Sequence, residues 1–339
     1  MSSSKGQVVG FGELLLRLTP PGRKMIAQAQ SLDVEVGGAE ANVLAGLACL
    51  GHSTKMVSCV ADNPLGRLAV GTLAARGVDV RSVTNAPGRM GLYFLEQGQG
   101  LRASAITYDR ASSTFARAET KLFDFESALE GAALLHLSGI TPALGPNSAE
   151  AALAAAEAAR AAGVPISFDG NFRPQLWAAW DSDPKTILTE IIGKADLLFG
   201  NHKDISLLTG KEFDGDGLDR RREAAEAGFA AFPNLKLIAS TARHVIDVDH
   251  HRIAARVDLP DASASTGEVD VTGIIDRIGT GDAFAAGVLH KYLEGADVES
   301  MARAGLGLAV LEHSLPGDMP LFSRDDLAAF EQGGRDVRR

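Results

Sequence analysis

Strand-like and helix-like stretches alternate along the second half of the chain, and this rhythm restricts the fold more than any other feature. Residues 134–137 read as a strand, 148–162 as an alanine-rich helix closed by Gly163, 164–168 and 197–199 as further strands. Helix 221–232 and strand 235–240 extend the series. Strands separated by helices of this length pair in parallel through right-handed crossovers, so the sheet must be covered on both faces. The first half follows the same grammar, with 8–12 as a buried strand, 38–50 as a helix closed by Gly51, 55–60 as a strand and 65–76 as a helix up to Gly77. One feature interrupts it: 91–95 and 102–108 are short strands joined by Gln97-Gly98-Gln99-Gly100, with no crossover helix between them. The expectation is a three-layer α/β fold with a central, mainly parallel sheet. Segments 13–36 and 89–109 form a small β-strand lid on it, and the rest of 1–339 forms one large domain.

A covered sheet needs apolar material, and a chain of 339 residues with 45% hydrophobic and 22% charged side chains has it. The 43 acidic against 33 basic side chains leave a formal charge of −10, which repels nucleic acid and acidic membrane surfaces. An anionic ligand must therefore be held by a local site. The longest charge-free stretch, 131–149, contains Pro142, Pro146 and Asn147, so no membrane-spanning helix is expected. Only Cys49 and Cys59 occur, and residues 1–5 run into an apolar strand without the apolar core and cleavage site of a secretion signal. A reduced, cytoplasmic protein is expected, with both cysteines as small core residues.

Chemistry concentrates in Asp276-Arg277-Ile278-Gly279-Thr280-Gly281-Asp282-Ala283-Phe284, which leads into apolar residues at helical spacing. Glycines at a helix entrance expose backbone N–H groups at the positive end of the helix dipole, a setting for a phosphate or a developing anion. Asp282 in the first turn has two readings, a helix cap or a base beside that anion site. Asp276, a second acidic residue, together with a second glycine-rich helix start elsewhere, shifts the balance toward catalysis. A second glycine-rich start, Gly37-Gly38-Ala39-Glu40-Ala41-Asn42, is either a tight turn or a place where a polyhydroxylated ligand approaches backbone, with Gly38 and the Asn42 amide in contact with it.

Together these two segments resemble the paired signatures of the ribokinase-like, or PfkB-type, carbohydrate kinases, and the order, spacing and early lid strands agree over essentially the whole chain. The resemblance implies the ribokinase-like fold. It implies that Asp282 deprotonates a sugar hydroxyl while the amides of Gly279, Thr280 and Gly281 stabilise the transferring phosphoryl group. The family's Asn-x-x-Glu motif, linked to magnesium and phosphate through water, aligns with Asn201-His202-Lys203-Asp204, a shorter aspartate replacing the glutamate. The implied cofactors are ATP and Mg2+, the metal held mainly through ATP and water, with room for a monovalent cation. Tyr93, Tyr108-Asp109-Arg110, Leu137-Ser138-Gly139-Ile140-Thr141 and Asp169-x-Asn171-x-Arg173 resemble 2-keto-3-deoxygluconate kinases; the last pattern also resembles fructokinases. A planar guanidinium binds a carboxylate bidentately, so Arg110 and Arg173 are the candidates for a sugar acid's carboxylate, with Tyr93, Tyr108 and Ile140 beside it.

The expected reaction is transfer of the ATP γ-phosphoryl group to the C6 hydroxyl of 2-keto-3-deoxygluconate. The alternatives are a fructokinase or other sugar kinase, and a catalytically silent sugar-acid sensor. A nicotinamide dehydrogenase is excluded because Gly10-Phe11-Gly12 is followed by Leu15 where the fingerprint needs glycine. A Walker-type hydrolase is excluded because neither Gly193-Lys194 nor Gly210-Lys211 precedes Ser or Thr. His244, Asp247, Asp249, His250 and His251 read as a solvated polar connection and not as a metal site. The lid is expected to expose an apolar sheet face on which copies of the chain associate as a homo-oligomer.

Overall fold

The computed structural model describes residues 6–215 and 217–334, so residues 1–5 lie outside it. Their neighbours Val8–Phe11 form a central strand of the large sheet. Across that sheet the order is Ser263–Ser265, His250–Asp258, Leu237–Asp247, Leu197–Phe199, Ile166–Asp169, Leu134–Ser138, Val8–Phe11, Thr54–Ala61 and Asp79–Ala86, and Val269–Thr272 also pairs with His250–Asp258. Pairing is parallel from Asp79–Ala86 across to Leu237–Asp247, and antiparallel beyond. Helices cover both faces. Ala39–Cys49, Thr280–Glu294 and Val298–Glu312 pack on one side, and Pro146–Ala161 with Pro184–Ile192 on the other. The alanine-rich helix Pro146–Ala161 buries Ala151, Ala152, Ala155, Ala156 and Ala159, small residues on one face that lie close against the sheet.

The parallel strands all end at one edge, with Gly12, Gly139, Gly170 and Gly200 immediately beyond their carboxyl ends and Asn201 next after Gly200. Ligands of open α/β sheets bind outside this edge. Above it lies a four-stranded sheet in the order Asp33–Gly37, Leu15–Thr19, Gly91–Glu96, Ala105–Asp109. This is the lid. Its outer strand pairs are antiparallel, but Leu15–Thr19 and Gly91–Glu96 run parallel because they come from segments separated by two units of the main sheet.

One sequence expectation fails here. The histidine-rich run is no connection: strand 235–240 continues to Asp247 and turns back as His250–Asp258, paired from Ile238↔Asp258 to Asp247↔His250. Apolar Ile253, Ala255 and Val257 alternate inward, which holds the hairpin despite its polar exterior. His244 and His250 serve that exterior, beside Glu268 at 2.7 Å and Asp270 at 2.8 Å, whereas His251 is buried with its ring edge-on to that of His313.

Candidate active site

The glycine loop is built by hydrogen bonds that prepare a helix start. Asp276 Oδ1 accepts the amides of Arg277 at 2.7 Å and Ile278 at 3.0 Å, and Thr280 Oγ1 donates to the Arg277 carbonyl at 3.0 Å. Gly279 then takes φ 79°, and a Cβ there would lie 2.1 Å from the Asp318 carbonyl oxygen, so only glycine fits. The helix Thr280–Glu294 follows. Among the described residues the amides of Thr280, Gly281 and Asp282 donate to no backbone carbonyl, and a Cβ on the exposed Gly281 would meet nothing within 4 Å. The chain has no packing reason for glycine at 281. An open cradle lined by free amides at a helix start suits a phosphate.

Asp282 stands beside that cradle. Its Oδ2 accepts the Nδ2 amide of Asn42 at 2.7 Å, and among the described residues it accepts no amide of its own helix, so it is not the helix cap. Asn42 is buried in the first turn of Ala39–Cys49, its own amide bound to the Gly38 carbonyl at 2.8 Å. Gly38 in turn has φ 152° and would place a Cβ 2.3 Å from the Glu13 carbonyl oxygen. Burial pushes the Asp282 carboxyl well above its ordinary range; the negative charges of Asp169, Asp318 and Glu40 add to this, and the Asn42 amide acts against it. A carboxylate held in this way takes up a proton readily.

The carboxyl ends of the next strands bring further acids close. Glu40 is buried, and its Oε1 accepts the Ser138 amide at 3.0 Å and the Ser138 and Thr141 hydroxyls at 2.8 and 2.9 Å. These bonds fix the strand end from which Ile140 projects at the start of a short helix. Burial raises the Glu40 carboxyl too. Asp169 is pushed up to about 7 by burial and by Asp204, with Arg173 and the Asn171 amide pulling the other way. Asn201 and Asp204 form a reciprocal helix cap, Asn201 Oδ1 accepting the Lys203 amide at 2.8 Å and Asp204 Oδ2 accepting the Asn201 amide at 2.8 Å. Burial raises Asp204 as well. Two buried carboxyl groups at the sheet edge, with Asp204 adding to the cost of ionising Asp169, fit a hard, oxygen-seeking divalent cation such as magnesium. Arg173 is exposed, and among the described residues its Nη1 donates to the neighbouring Phe172 carbonyl at 3.3 Å.

On the lid's inner face Glu35, Arg17, Tyr93 and Tyr108 form one cross-strand row. The Tyr93 hydroxyl donates to Asp318 Oδ2 at 2.7 Å, and its ring lies 6.3 Å from that of the half-buried Tyr108. Arg110 differs from the picture of a free guanidinium: it is buried, its Nε 2.8 Å from Glu13 Oε2, and the Ser113 hydroxyl donates to the other oxygen of Glu13. The Asp276 carboxylate stands 2.7 Å from Arg17 and accepts the loop amides, so its place in the site is structural support of the loop. Sequence reasoning missed Glu13, Arg17, Glu40 and Asp318. The available signal was charge set among apolar or glycine neighbours, as in Leu16-Arg17-Leu18 and Gly12-Glu13-Leu14.

A family model described as pfkB family carbohydrate kinase matches residues 5–320, a span that contains every residue of this site. The chain is 31% identical over 336 residues to the 2-dehydro-3-deoxygalactonokinase of Haloferax volcanii, covering 97% of each chain. It is 29% identical over 347 residues to the 2-dehydro-3-deoxygluconokinase of Bacillus subtilis, covering 99% of this chain and 98% of the relative. The crystal structure of 2-dehydro-3-deoxygluconokinase from Thermotoga maritima has a TM-score of 0.92 and 34% identity over 97% of this chain and 100% of that one. Sequence and shape agree over the full span of sheet, lid and glycine loop, and the chain belongs to the pfkB family of carbohydrate kinases.

Proposed function

We propose that this kinase transfers the γ-phosphoryl group of ATP to the C6 hydroxyl of 2-keto-3-deoxygluconate, with Asp282 as the base. The observation that carries the reading is the placement of Asp282, a carboxylate with a raised proton affinity, at the edge of a helix-start cradle of free amides left open at Gly281. Asp282 accepts the hydroxyl proton as the oxygen attacks, and the amides of Gly279, Thr280 and Gly281 receive the charge on the transferring group. Gly38 and Asn42 bound the sugar side, and Asn42 keeps Asp282 oriented. Magnesium bound with ATP would offset phosphate charge, and Asn201 and Asp204 would hold it through water. Potassium and tetramethylammonium salts compared in one assay reveal any part for a monovalent cation.

The sugar-acid choice rests on Arg173, the exposed guanidinium beside Asp169, together with Tyr93, Tyr108 and Ile140, and on the names of the relatives. Arg110 joins the set through its Nη groups, while Nε stays on Glu13. The Haloferax volcanii relative specifically favours a second reading, the C4 epimer 2-keto-3-deoxygalactonate. The experiment is a panel of 2-keto-3-deoxygluconate, 2-keto-3-deoxygalactonate, fructose and ribose at saturating Mg-ATP. The highest kcat/KM is expected for the gluconate; a preference for the galactonate moves the substrate within its class, and a preference for fructose or ribose removes the acid reading. On the lid's outer face Leu18, Val34 and Phe94 lie side by side, Val34 46% exposed. That apolar row is the proposed contact of a homo-oligomer, which sedimentation at micromolar concentration tests against the 35.5 kDa of one chain. Among the described residues no helix is long and apolar enough to cross a membrane.

A further inference from the structure

Arg17 heads the large side chains that are fully buried, although it is charged. It lies in the middle of Leu15–Thr19, the lid strand flanked by Asp33–Gly37 and Gly91–Glu96, and is 2% exposed. A buried guanidinium is costly unless it is paired, and both of its ionic partners lie outside the lid. Nη1 stands 2.7 Å from Asp276 Oδ2 and 2.9 Å from Asp318 Oδ1. Asp276 uses its other oxygen for the amides of Arg277 and Ile278, so the carboxylate that holds Arg17 also fixes the backbone entering Gly279. Asp318 accepts the Tyr93 hydroxyl on Oδ2, and its carbonyl packs against Gly279. One lid side chain thus reaches both walls of the glycine loop. Stability alone gives no reason for it, since well-packed apolar residues commonly replace buried ion pairs at no loss.

We infer that Arg17 is a positioning residue through which the seat of the lid sets the backbone of 276–282. The amides that line the cradle take their receiving shape only while Arg17 holds Asp276 and Asp318, so the loop is formed when the lid is in place over the sugar. A lid displaced from its seat leaves the loop slack and the phosphoryl group poorly received. The effect on rate rests on the phosphotransfer reading above; the mechanical link does not.

Hydrogen exchange on the ligand-free protein tests the link without a substrate. In Arg17→Gln, peptides covering 276–284 should exchange about tenfold faster while those from Val8–Phe11 and Thr54–Ala61 keep the wild-type rate. Unchanged exchange over 276–284 overturns the inference, and so does equal acceleration of the central strands, which would mark a general loss of stability. Arg17→Lys keeps the charge and loses the fork; should the glutamine variant fail to fold, faster exchange confined to 276–284 in the lysine variant is the expected result and unchanged exchange the contrary one. Steady-state kinetics read the consequence: kcat for the sugar should fall about tenfold or more with its KM within about threefold, and the share of ATP hydrolysed without sugar phosphorylation should rise. A raised sugar KM with unchanged kcat overturns the positioning role. A wild-type protein that phosphorylates no sugar in the panel sinks the functional reading instead, and the exchange result then decides the link alone.

Discussion

Asn42 and Asp282, 240 residues apart in sequence, share a 2.7 Å hydrogen bond from amide to carboxylate. It joins the two glycine-led helix starts into one site, and it favours the ionised carboxylate that burial and neighbouring acids disfavour. A base must be ionised to act, so kcat/KM should fall as pH falls through the raised pKa of Asp282 and level off above it. Asn42→Leu removes the bond that holds this pKa down. The acid limb of the profile should move to higher pH, by about one unit if the bond favours the charged form by ~1.4 kcal/mol. An acid limb that stays in place separates Asn42 from the base.

Asp169 makes a stability prediction with a definite sign. Its folded-state pKa of about 7 lies above the ordinary 3.8, so the fold favours the protonated form. The stability associated with it is fully present below about pH 4 and is lost as pH rises to about 7. Asp169→Asn should therefore melt at a higher temperature than the wild type at pH 8, with the gap closing toward pH 4. Thermal melts across this range check it, and a gap independent of pH would mean that Asp169 is paired more fully than its surroundings indicate.

Much of this arrangement was legible in the chain before folding. The parallel units show in the alternation of short apolar strands with helices, the lid shows in the glycine turn at 97–100, and Asn42 and Asp282 stand out because each follows a glycine pair at a helix start. The hairpin Leu237–Asp247/His250–Asp258 was hidden because its outward positions carry histidine, arginine and aspartate, which in sequence are indistinguishable from a solvated loop. Glu13, Arg17, Glu40 and Asp318 were hidden for a different reason. The partners that let these charges be buried lie about 100 to 300 residues away, so a charge among apolar neighbours marks burial without naming its partner.

The two loop glycines should respond in opposite ways to the same change. Gly279→Ala forces a side chain into a left-handed backbone, costing about 1–2 kcal/mol, and drives it against the Asp318 carbonyl, so folding suffers with activity. Gly281→Ala meets open space in a helical turn, where alanine stabilises by up to ~1 kcal/mol. Its melting temperature should hold or rise while turnover drops. Retained turnover in Gly281→Ala would place the phosphoryl group elsewhere.

Arg173 can be tested for recognition alone, whereas Arg110 combines recognition with support of the fold. Arg110→Ala leaves Glu13 buried without its cation, a loss of about 3–5 kcal/mol that thermal melts should register whatever the substrate. Arg173→Ala removes an exposed side chain and should leave melting unchanged. The KM for 2-keto-3-deoxygluconate should rise about tenfold or more in Arg173→Ala, the usual scale for a lost charged contact, with much less change for fructose. Equal losses for acid and ketose would show that Arg173 does not read the carboxylate.

The most direct test follows the phosphorus. Wild-type protein is incubated with Mg-ATP and 2-keto-3-deoxygluconate, and the product is identified by phosphorus NMR and mass spectrometry beside Asp282→Asn protein checked for an unchanged fold. The account predicts stoichiometric formation of the C6 phosphate with ADP by the wild type, and turnover lower by about 10² or more in Asp282→Asn, the scale of a positioned general base. No sugar-dependent ADP from the wild type, a phosphate on another hydroxyl, or turnover in Asp282→Asn within about threefold of wild type would contradict it.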